Sequence, residues 1–137
     1  MATVSDEKDN MYVSIVENSP DFITRYDKEL RYVYINSTGL KNLEMEKESV
    51  IGKTHMEAGV YTTEQCKFME ETINHVFETG VEFNDQIEWG GEGTNIWIHL
   101  MLTPEYDENG NIVTILGFSR DISKYKQAEK KLFEKEE

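Results

Sequence analysis

The sequence lacks a second cysteine. Cys66 is the one cysteine among 137 residues, so the chain has no pair with which to form an internal disulfide. Disulfides persist in oxidising compartments and are rare where thiols are kept reduced. We therefore expect a reducing, cytoplasmic location. A chain of this length buries roughly two-thirds of its unfolded surface, so it needs neither a disulfide nor a metal to fold.

Positive charge is also scarce. There are 14 lysine and arginine residues against 27 aspartate and glutamate residues, which gives a net charge of −13. Nucleic acids and anionic lipid surfaces are both bound through basic patches. No stretch approaches the ~18 consecutive apolar residues of a transmembrane helix, and the N-terminus lacks the apolar core of a secretory signal. We expect no nucleic-acid partner and no direct membrane contact from this segment.

Clustered catalytic residues are lacking as well. The three histidines, His55, His75 and His99, fall on three separate predicted elements. No Ser/His/Asp order, His-x-x-x-His pair or Cys-x-x-Cys pair marks a nucleophile or a metal site. We expect the chain not to be an enzyme, and we assign it no catalytic residue and no metal ligand.

What the sequence does contain is a clear alternation of strand and helix periods. The last three predicted strands are joined by short turns, so they must be antiparallel. One sheet with its helices gathered on one face is an α+β fold. In chain order we predict a helix over 5–18, strands over 21–27 and 31–35, short helical segments over 36–59, a long helix over 63–79, and strands over 81–89, 95–104 and 112–119.

Two of these strands are apolar on both faces. In the strand over 95–104, Trp97 and Met101 lie opposite to the isoleucines and leucines, and in the last strand Leu116 and Phe118 lie opposite to Ile115 and Gly117. The central helices can cover only one face of the sheet. The other face needs cover from the N-terminal helix or from a second copy of the chain.

The two ends of the chain carry distinctive motifs. The first is "IVENSPDFITRYDKELRYVYINSTGL" and the second is "WIHLMLTPEYDENGNIVTILGFSRDISKYKQAEKKL". The second has a strand ending at Pro104, an Asp-Glu-Asn-Gly turn over 107–110, and "RDIS" leading into a helix. These segments resemble the opening and the closing halves of a Per-Arnt-Sim (PAS) sensory domain, and the resemblance covers residues 15–132.

The resemblance implies a five-stranded antiparallel sheet with helices on one face and a small-molecule pocket between them. It also implies that Arg120, Asp121, Ile122 and Ser123 form a junction that hands a conformational change to an output helix. In PAS proteins the output is commonly a histidine kinase, a cyclic-nucleotide enzyme or a transcription factor. None is present here, so we expect a C-terminal effector in a larger signalling protein, with a two-component histidine kinase as the first choice.

These motifs divide the chain into three segments. We predict an N-terminal amphipathic flanking helix over 1–18, a PAS sensory domain over 19–122, and the start of a coiled-coil signalling helix over 123–137.

The last segment has little to bury within one chain. Its apolar positions Ile122, Tyr125, Ala128 and Leu132 are spaced as a coiled-coil seam that has just begun. An isolated helix of this length is marginal in water. We therefore expect it to pair in a homodimer, although Asp121 as a simple helix cap followed by a solvated tail is the alternative. Our interface candidates are Met11, Ile15, Trp97, His99, Met101, Leu116, Phe118, Tyr125 and Leu132.

No cofactor can be named from the sequence. Light-oxygen-voltage domains, a PAS subgroup, carry Gly-x-Asn-Cys-Arg, whereas the matching run here places His55 at the cysteine position, which argues against a covalent flavin adduct. Haem-binding PAS domains use a histidine on the long helix, but His75 lies too near its end. A carboxylate sensor would need more clustered basic residues than Lys53 and His55. If the pocket is occupied, non-covalent flavin, haem and an unknown metabolite are the alternatives.

A pocket of aromatic and small polar side chains remains the expectation. A filled, ligand-free core would carry similar residues, so both interpretations stay open. Asp85 is either a ligand-binding acid or an exposed strand residue. The pocket candidates are Thr24, Tyr26, His55, Phe68, Phe83, Asp85, Trp89 and Ser119; Ser119 matches a position that touches the flavin in light-oxygen-voltage domains. We interpret the chain as a dimeric signal-relay module, with a ligand-occupied chemosensor as the alternative.

Overall fold

The computed structural model describes the backbone of residues 4–136 and the side chains of residues 10–134. Residues 1–3 and 137 of the predicted flanking segments lie outside the described residues. The element order confirms the sequence prediction of two strands, helices and three strands. The helices are α1 (Val4–Glu17), α2 (Ser37–Leu43), a 3₁₀ turn (Lys47–Ser49), α3 (His55–Ala58), α4 (Thr63–Thr79) and α5 (Ser123–Glu136); the strands are β1 (Phe22–Tyr26), β2 (Tyr32–Ile35), β3 (Phe83–Glu88), β4 (Trp97–Tyr106) and β5 (Ile112–Asp121).

The five strands form one antiparallel sheet in the order β2-β1-β5-β4-β3. The last strand lies at the centre because it pairs with both β1 and β4. Its register places Phe22 opposite Ser119 and Thr24 opposite Gly117, so these side-chain positions share the inner face of the sheet. The five-stranded antiparallel α+β fold is therefore confirmed.

The core lies between this inner face and α4. The helix buries Met69, Ile73 and Val76, while β4 contributes Leu100 and Leu102. Its ends are well defined: the side chain of Thr62 accepts the backbone N–H of Gln65 in a capping box, and Gly80 takes the left-handed conformation of a C-cap at φ 71°. The residues that pack α4 on the sheet also fix the wall of the site described below.

Asn36 ties α1 to the sheet. Its side-chain oxygen accepts the backbone N–H groups of Ile23 at 3.1 Å and Gly39 at 3.0 Å, which caps α2. Its amide nitrogen donates to the carbonyl oxygens of Val16 at 3.0 Å and Asp21 at 2.9 Å. A fully buried amide with four good partners makes the end of α1 a fixed part of the domain.

The outer face of the sheet is only partly covered within one chain. Trp97, Met101, Leu116 and Phe118 are half-buried, and the ammonium group of Lys126 in α5 lies 5.0 Å from the ring centroid of Trp97. On the flanking helices, the predicted interface residues Met11, Ile15, Tyr125 and Leu132 are exposed by 55%, 61%, 64% and 63%. No helix among the described residues is long and apolar enough to cross a membrane.

Candidate ligand cavity and signal junction

A cavity of about 210 Å³ lies between the inner sheet face and the central helices. Its size is below the roughly 300–1,000 Å³ of drug-sized sites, so it suits a small molecule. The strands supply most of the wall, because their inward positions repeat every second residue. It is lined by Phe22, Thr24, Tyr26, Asn42, Leu43, Tyr61, Met69, Trp89, Ile96, Ile98, Leu100, Gly117, Phe118, Ser119 and Asp121.

The cavity has a buried floor and a wet mouth. Thr24, Tyr26 and Gly117 are buried at the floor, whereas Asn42 and Asp121 are exposed. A Cβ atom on Gly117 would collide with the Thr24 hydroxyl and come within 3.1 Å of Tyr26 Cε2. Glycine at this position therefore keeps space open above the sheet.

A cluster of aromatic rings, which we call the aromatic cluster, lies against the floor. It consists of Tyr26, Tyr32, His55 and Tyr61. The ring of His55 has its centroid 5.1 Å from that of Tyr26, 4.9 Å from that of Tyr32 and 5.6 Å from that of Tyr61. Tyr61 also meets Trp89 edge-on at 5.2 Å, which connects the cluster to the cavity.

The aromatic cluster is strongly desolvated. Burial raises the pKa of Tyr26 to about 12 and lowers the pKa of His55 to about 4. Burial likewise raises the pKa values of Tyr32 and Tyr61 above their ordinary value. Neither ring nitrogen of His55 has a hydrogen-bond partner among the described residues. His55 is therefore neutral at physiological pH and packs as an aromatic ring.

The predicted junction lies at the end of β5, where the chain passes into α5. The guanidinium of Arg120 holds the carboxylate of Asp21 with two hydrogen bonds of 2.8 and 2.9 Å. Asp121 accepts the backbone N–H of Ser123 at 2.9 Å at the start of α5. The backbone N–H of Ile122 donates to the carbonyl oxygen of Trp97 at 2.9 Å. These contacts connect β1, β4, β5 and α5 within a few residues.

The structure places the predicted pocket residues in three settings. Thr24, Tyr26, Trp89 and Ser119 line the cavity. His55 belongs to the aromatic cluster and does not line it. The other three lie elsewhere: Phe68 and Phe83 pack together with ring centroids 6.0 Å apart, and Asp85 is exposed on the edge strand, where its carboxylate accepts the N–H of Gln86.

Several cavity residues were not predicted. Tyr61 immediately precedes the Thr62 cap of α4, and an aromatic residue at the entry of the long helix was the available signal. Asn42 and Leu43 come from the end of α2, where the sequence pattern shows no pocket signal. On the outer face, His99 Nε2 lies 2.6 Å from Asn84 Oδ1, so this interface candidate already has an intrachain partner.

Residues 16–127 match the family described as the PAS fold. The match spans most of the chain, and the chain therefore belongs to the PAS family and is a sensory domain of a fold that is generally not catalytic. None of the curated proteins compared with the chain matches it significantly. No group of three or more potential metal ligands occurs among the described residues.

Three solved structures illustrate the similarity of this fold to known proteins. The PAS domain of BvgS from Bordetella pertussis has a TM-score of 0.68 at 20% identity, with 95% of this chain and 97% of that chain covered. A sensory box sensor histidine kinase from Vibrio cholerae has a TM-score of 0.64 at 15% identity, covering 85% and 94%. The V. cholerae VqmA–ligand–DNA complex has a TM-score of 0.64 at 20% identity, covering 82% and 51%. These identities show a shared fold alone.

Proposed function

We propose that this chain is the signal-relay module of a larger, cytoplasmic signalling protein, in which the state of the cavity is passed through Arg120–Ser123 to α5 and then to an effector. The observation that carries this proposal is that the cavity wall, the junction and the start of α5 follow one another directly in the chain. Ser119 and Asp121 line the cavity, while Arg120 between them binds Asp21 and Asp121 holds the first turn of α5. A change in the cavity wall therefore has a short path to the output helix.

The contacts along this path can be broken at little cost in free energy. The Arg120 side chain is 59% exposed, and the cap on α5 is a single carboxylate–amide hydrogen bond. Contacts of this kind exchange with water at little cost. Rotation of α5 would break the hydrogen bonds that join Ile122 and Ser123 to Trp97, but no described residue of α5 belongs to the buried hydrophobic core. A histidine kinase is our proposed effector, and the V. cholerae neighbour described as a sensor histidine kinase supports that choice.

The relay is proposed to act in a homodimer. The apolar residues of α1 and α5 are exposed on helices that flank a half-buried outer sheet face. A second copy would bury all three surfaces, and α5 has the spacing of a coiled-coil seam. The interface is proposed to contain Met11, Ile15, Trp97, His99, Met101, Leu116, Phe118, Tyr125 and Leu132.

The oligomeric state tests this interface. Sedimentation equilibrium at high micromolar concentration is expected to give twice the chain mass for the parent protein and the monomer mass for Trp97→Glu. Val81→Glu is the matched control, since Val81 is 63% exposed but lies outside the proposed interface. A parent that stays monomeric, or a Trp97→Glu variant that still dimerises, would contradict the dimer proposal.

The cavity favours a second candidate, a chemosensor in which dimerisation is incidental. Its aromatic, partly polar lining is that of a small-ligand site, and its volume of about 210 Å³ leaves room for a ligand smaller than a drug. Native and denatured masses of protein purified without added ligand would reveal a non-covalent occupant. Exchange rates of the α5 amides, measured with the occupant retained and removed, then separate the two: an α5 that does not respond would leave a binding domain without a relay.

A further inference from the structure

The described lining of the cavity contains an acidic residue but no basic one. Among its described lining residues, Asp121 is the one with a formal charge at neutral pH, and none is lysine, arginine or histidine. A ligand anion would enter without a counter-charge and beside a carboxylate, in a protein of net charge −13. Burying a charge without a partner is costly. The lining therefore disfavours carboxylate and phosphate ligands.

The neighbouring positive groups are already engaged. Arg120 directs its guanidinium to both carboxylate oxygens of Asp21, and Lys126 lies over the Trp97 ring. The amino end of α5, which could otherwise attract an anion, has the N–H of Ser123 bonded to Asp121 at 2.9 Å. None of these groups is offered to a negatively charged ligand.

The interior suits an apolar or aromatic body. Tyr26, Tyr61, Trp89 and Phe22 contribute rings to the wall, and aromatic faces attract both other rings and organic cations. Asp121 stands at the opposite, exposed end, where a carboxylate can stay partly hydrated while it pairs with a ligand. A ring would fill the floor while a positive group sits at the mouth.

We propose that the cavity binds a small aromatic amine, with the ring among the aromatic side chains and the protonated amine on the carboxylate of Asp121. This inference rests on the proposed sensory function and names its ligand class. Because Asp121 also holds the first turn of α5, the ligand would contact the output helix directly through its cap. The carboxylate of Asp121 would then determine which ligand charge is preferred. The same carboxylate would transmit ligand binding to α5.

Three phenyl compounds of similar size test the charge preference: 2-phenylethylamine, 2-phenylethanol and phenylacetate. Binding is followed by NMR titration, with the backbone amides of Gly117 and Ser119 as reporters at the cavity. We expect the amine to bind about fivefold more tightly than the alcohol, as a charge contact near the surface allows, and phenylacetate to bind most weakly.

Asp121→Asn is the decisive variant. Asparagine keeps an oxygen for the Ser123 N–H and is itself a favoured helix cap, so α5 is retained while the charge is removed. The preference for amine over alcohol is expected to fall to about one, with binding of the alcohol unchanged. Glu105→Gln, which removes an outer-face carboxylate that does not line the cavity, serves as the control and should keep the preference.

The binding experiments can fail without deciding the proposed relay function. Phenylacetate binding as tightly as the amine, or an undiminished preference in Asp121→Asn, would overturn the inference. So would the absence of saturable shifts with all three probes. In each of these cases the dimer measurement and the α5 exchange measurement still decide the relay proposal by themselves.

Discussion

The aromatic cluster and the signal junction lie at opposite ends of the cavity wall and are held in opposite ways. In the cluster, Tyr32 and His55 are fully buried and meet mainly through ring contacts. In the junction, Arg120 is largely exposed and acts through one ion pair. Change in the cluster means opening a packed core, whereas change in the junction means exchanging hydrogen bonds with water. The contrast indicates which end can rearrange at the lower cost in free energy.

The largest expected effect is the loss of a ring from the cluster. Tyr32→Ala should lower the free energy of unfolding by about 3–5 kcal/mol, because the side chain is fully buried and leaves a cavity. Urea unfolding measures it. The neighbouring Val33→Ala is the control, because Val33 is 44% exposed. Equal losses for the two variants would show that the cluster is not a stability centre.

Acid should weaken the cluster through His55. Its folded pKa of about 4 lies below its unfolded value of about 6.5. The unfolded state therefore binds a proton first as pH falls, and stability that is fully present above pH ~6.5 declines towards pH 4 by roughly 3 kcal/mol. The neighbouring Tyr26, Tyr32 and Tyr61 stay uncharged throughout.

Comparison of parent and His55→Phe isolates this contribution. The difference between their free energies of unfolding, measured by urea denaturation from pH 7.5 to pH 4, should change by the stated amount. His75→Gln is the control for the loss of a histidine, since His75 is exposed on α4. A parent and a His55→Phe variant with parallel pH profiles would contradict the buried neutral state.

Filling the cavity floor should have an intermediate effect. Gly117→Ala is expected to lower stability by about 1–3 kcal/mol, because its Cβ meets Thr24 and Tyr26. The double variant Thr24→Ala/Gly117→Ala removes the hydroxyl in the way, so its loss should be smaller than the sum of the two single losses. Thermal or urea unfolding of the parent, the two single variants and the double variant gives the four free energies of unfolding that the cycle needs. Strict additivity would contradict the contact.

The smallest effect on stability belongs to the junction. Arg120→Gln should leave the urea midpoint nearly unchanged but accelerate hydrogen exchange of the first α5 amides several-fold, since the tie to Asp21 is lost. Arg25→Gln breaks a similar two-bond ion pair with Glu105 on the same sheet face, away from α5. Equal rates of amide hydrogen exchange at the start of α5 in both variants would contradict the assignment of Arg120 to the junction.

Strand periodicity made the fold predictable. The alternation over 81–89 and the Asn-Gly turn before β5 specify antiparallel hairpins, and the two terminal motifs resemble PAS domains. The cavity was predictable where it is built from strands: Thr24, Tyr26 and Ser119 follow from inward positions of β1 and β5. Asp85 has an inward register too, yet it is exposed, because an edge strand leaves one side open.

The sequence patterns of the loops and helix ends were too weak to predict the remaining residues of the cavity and the aromatic cluster. Nothing in the local sequence of Tyr61 says that its ring lies between His55 and Trp89. His55 follows a helix cap, Thr54, and its local sequence is that of an exposed helix start. Its burial arises because Tyr26, Tyr32 and Tyr61 converge on it from three separate segments.

By itself, the sequence determined the element order, the antiparallel sheet, the PAS resemblance and the chemistry available at the junction, because periodicity and turn residues act locally. Only the tertiary structure decided that Arg120 binds Asp21 across 99 positions of sequence, that His55 is desolvated, and that Asp121 is the lone charged residue among the described lining of the cavity. Long-range packing sets burial and partners, and these determine the pKa values, the shape of the cavity and the charge of its lining.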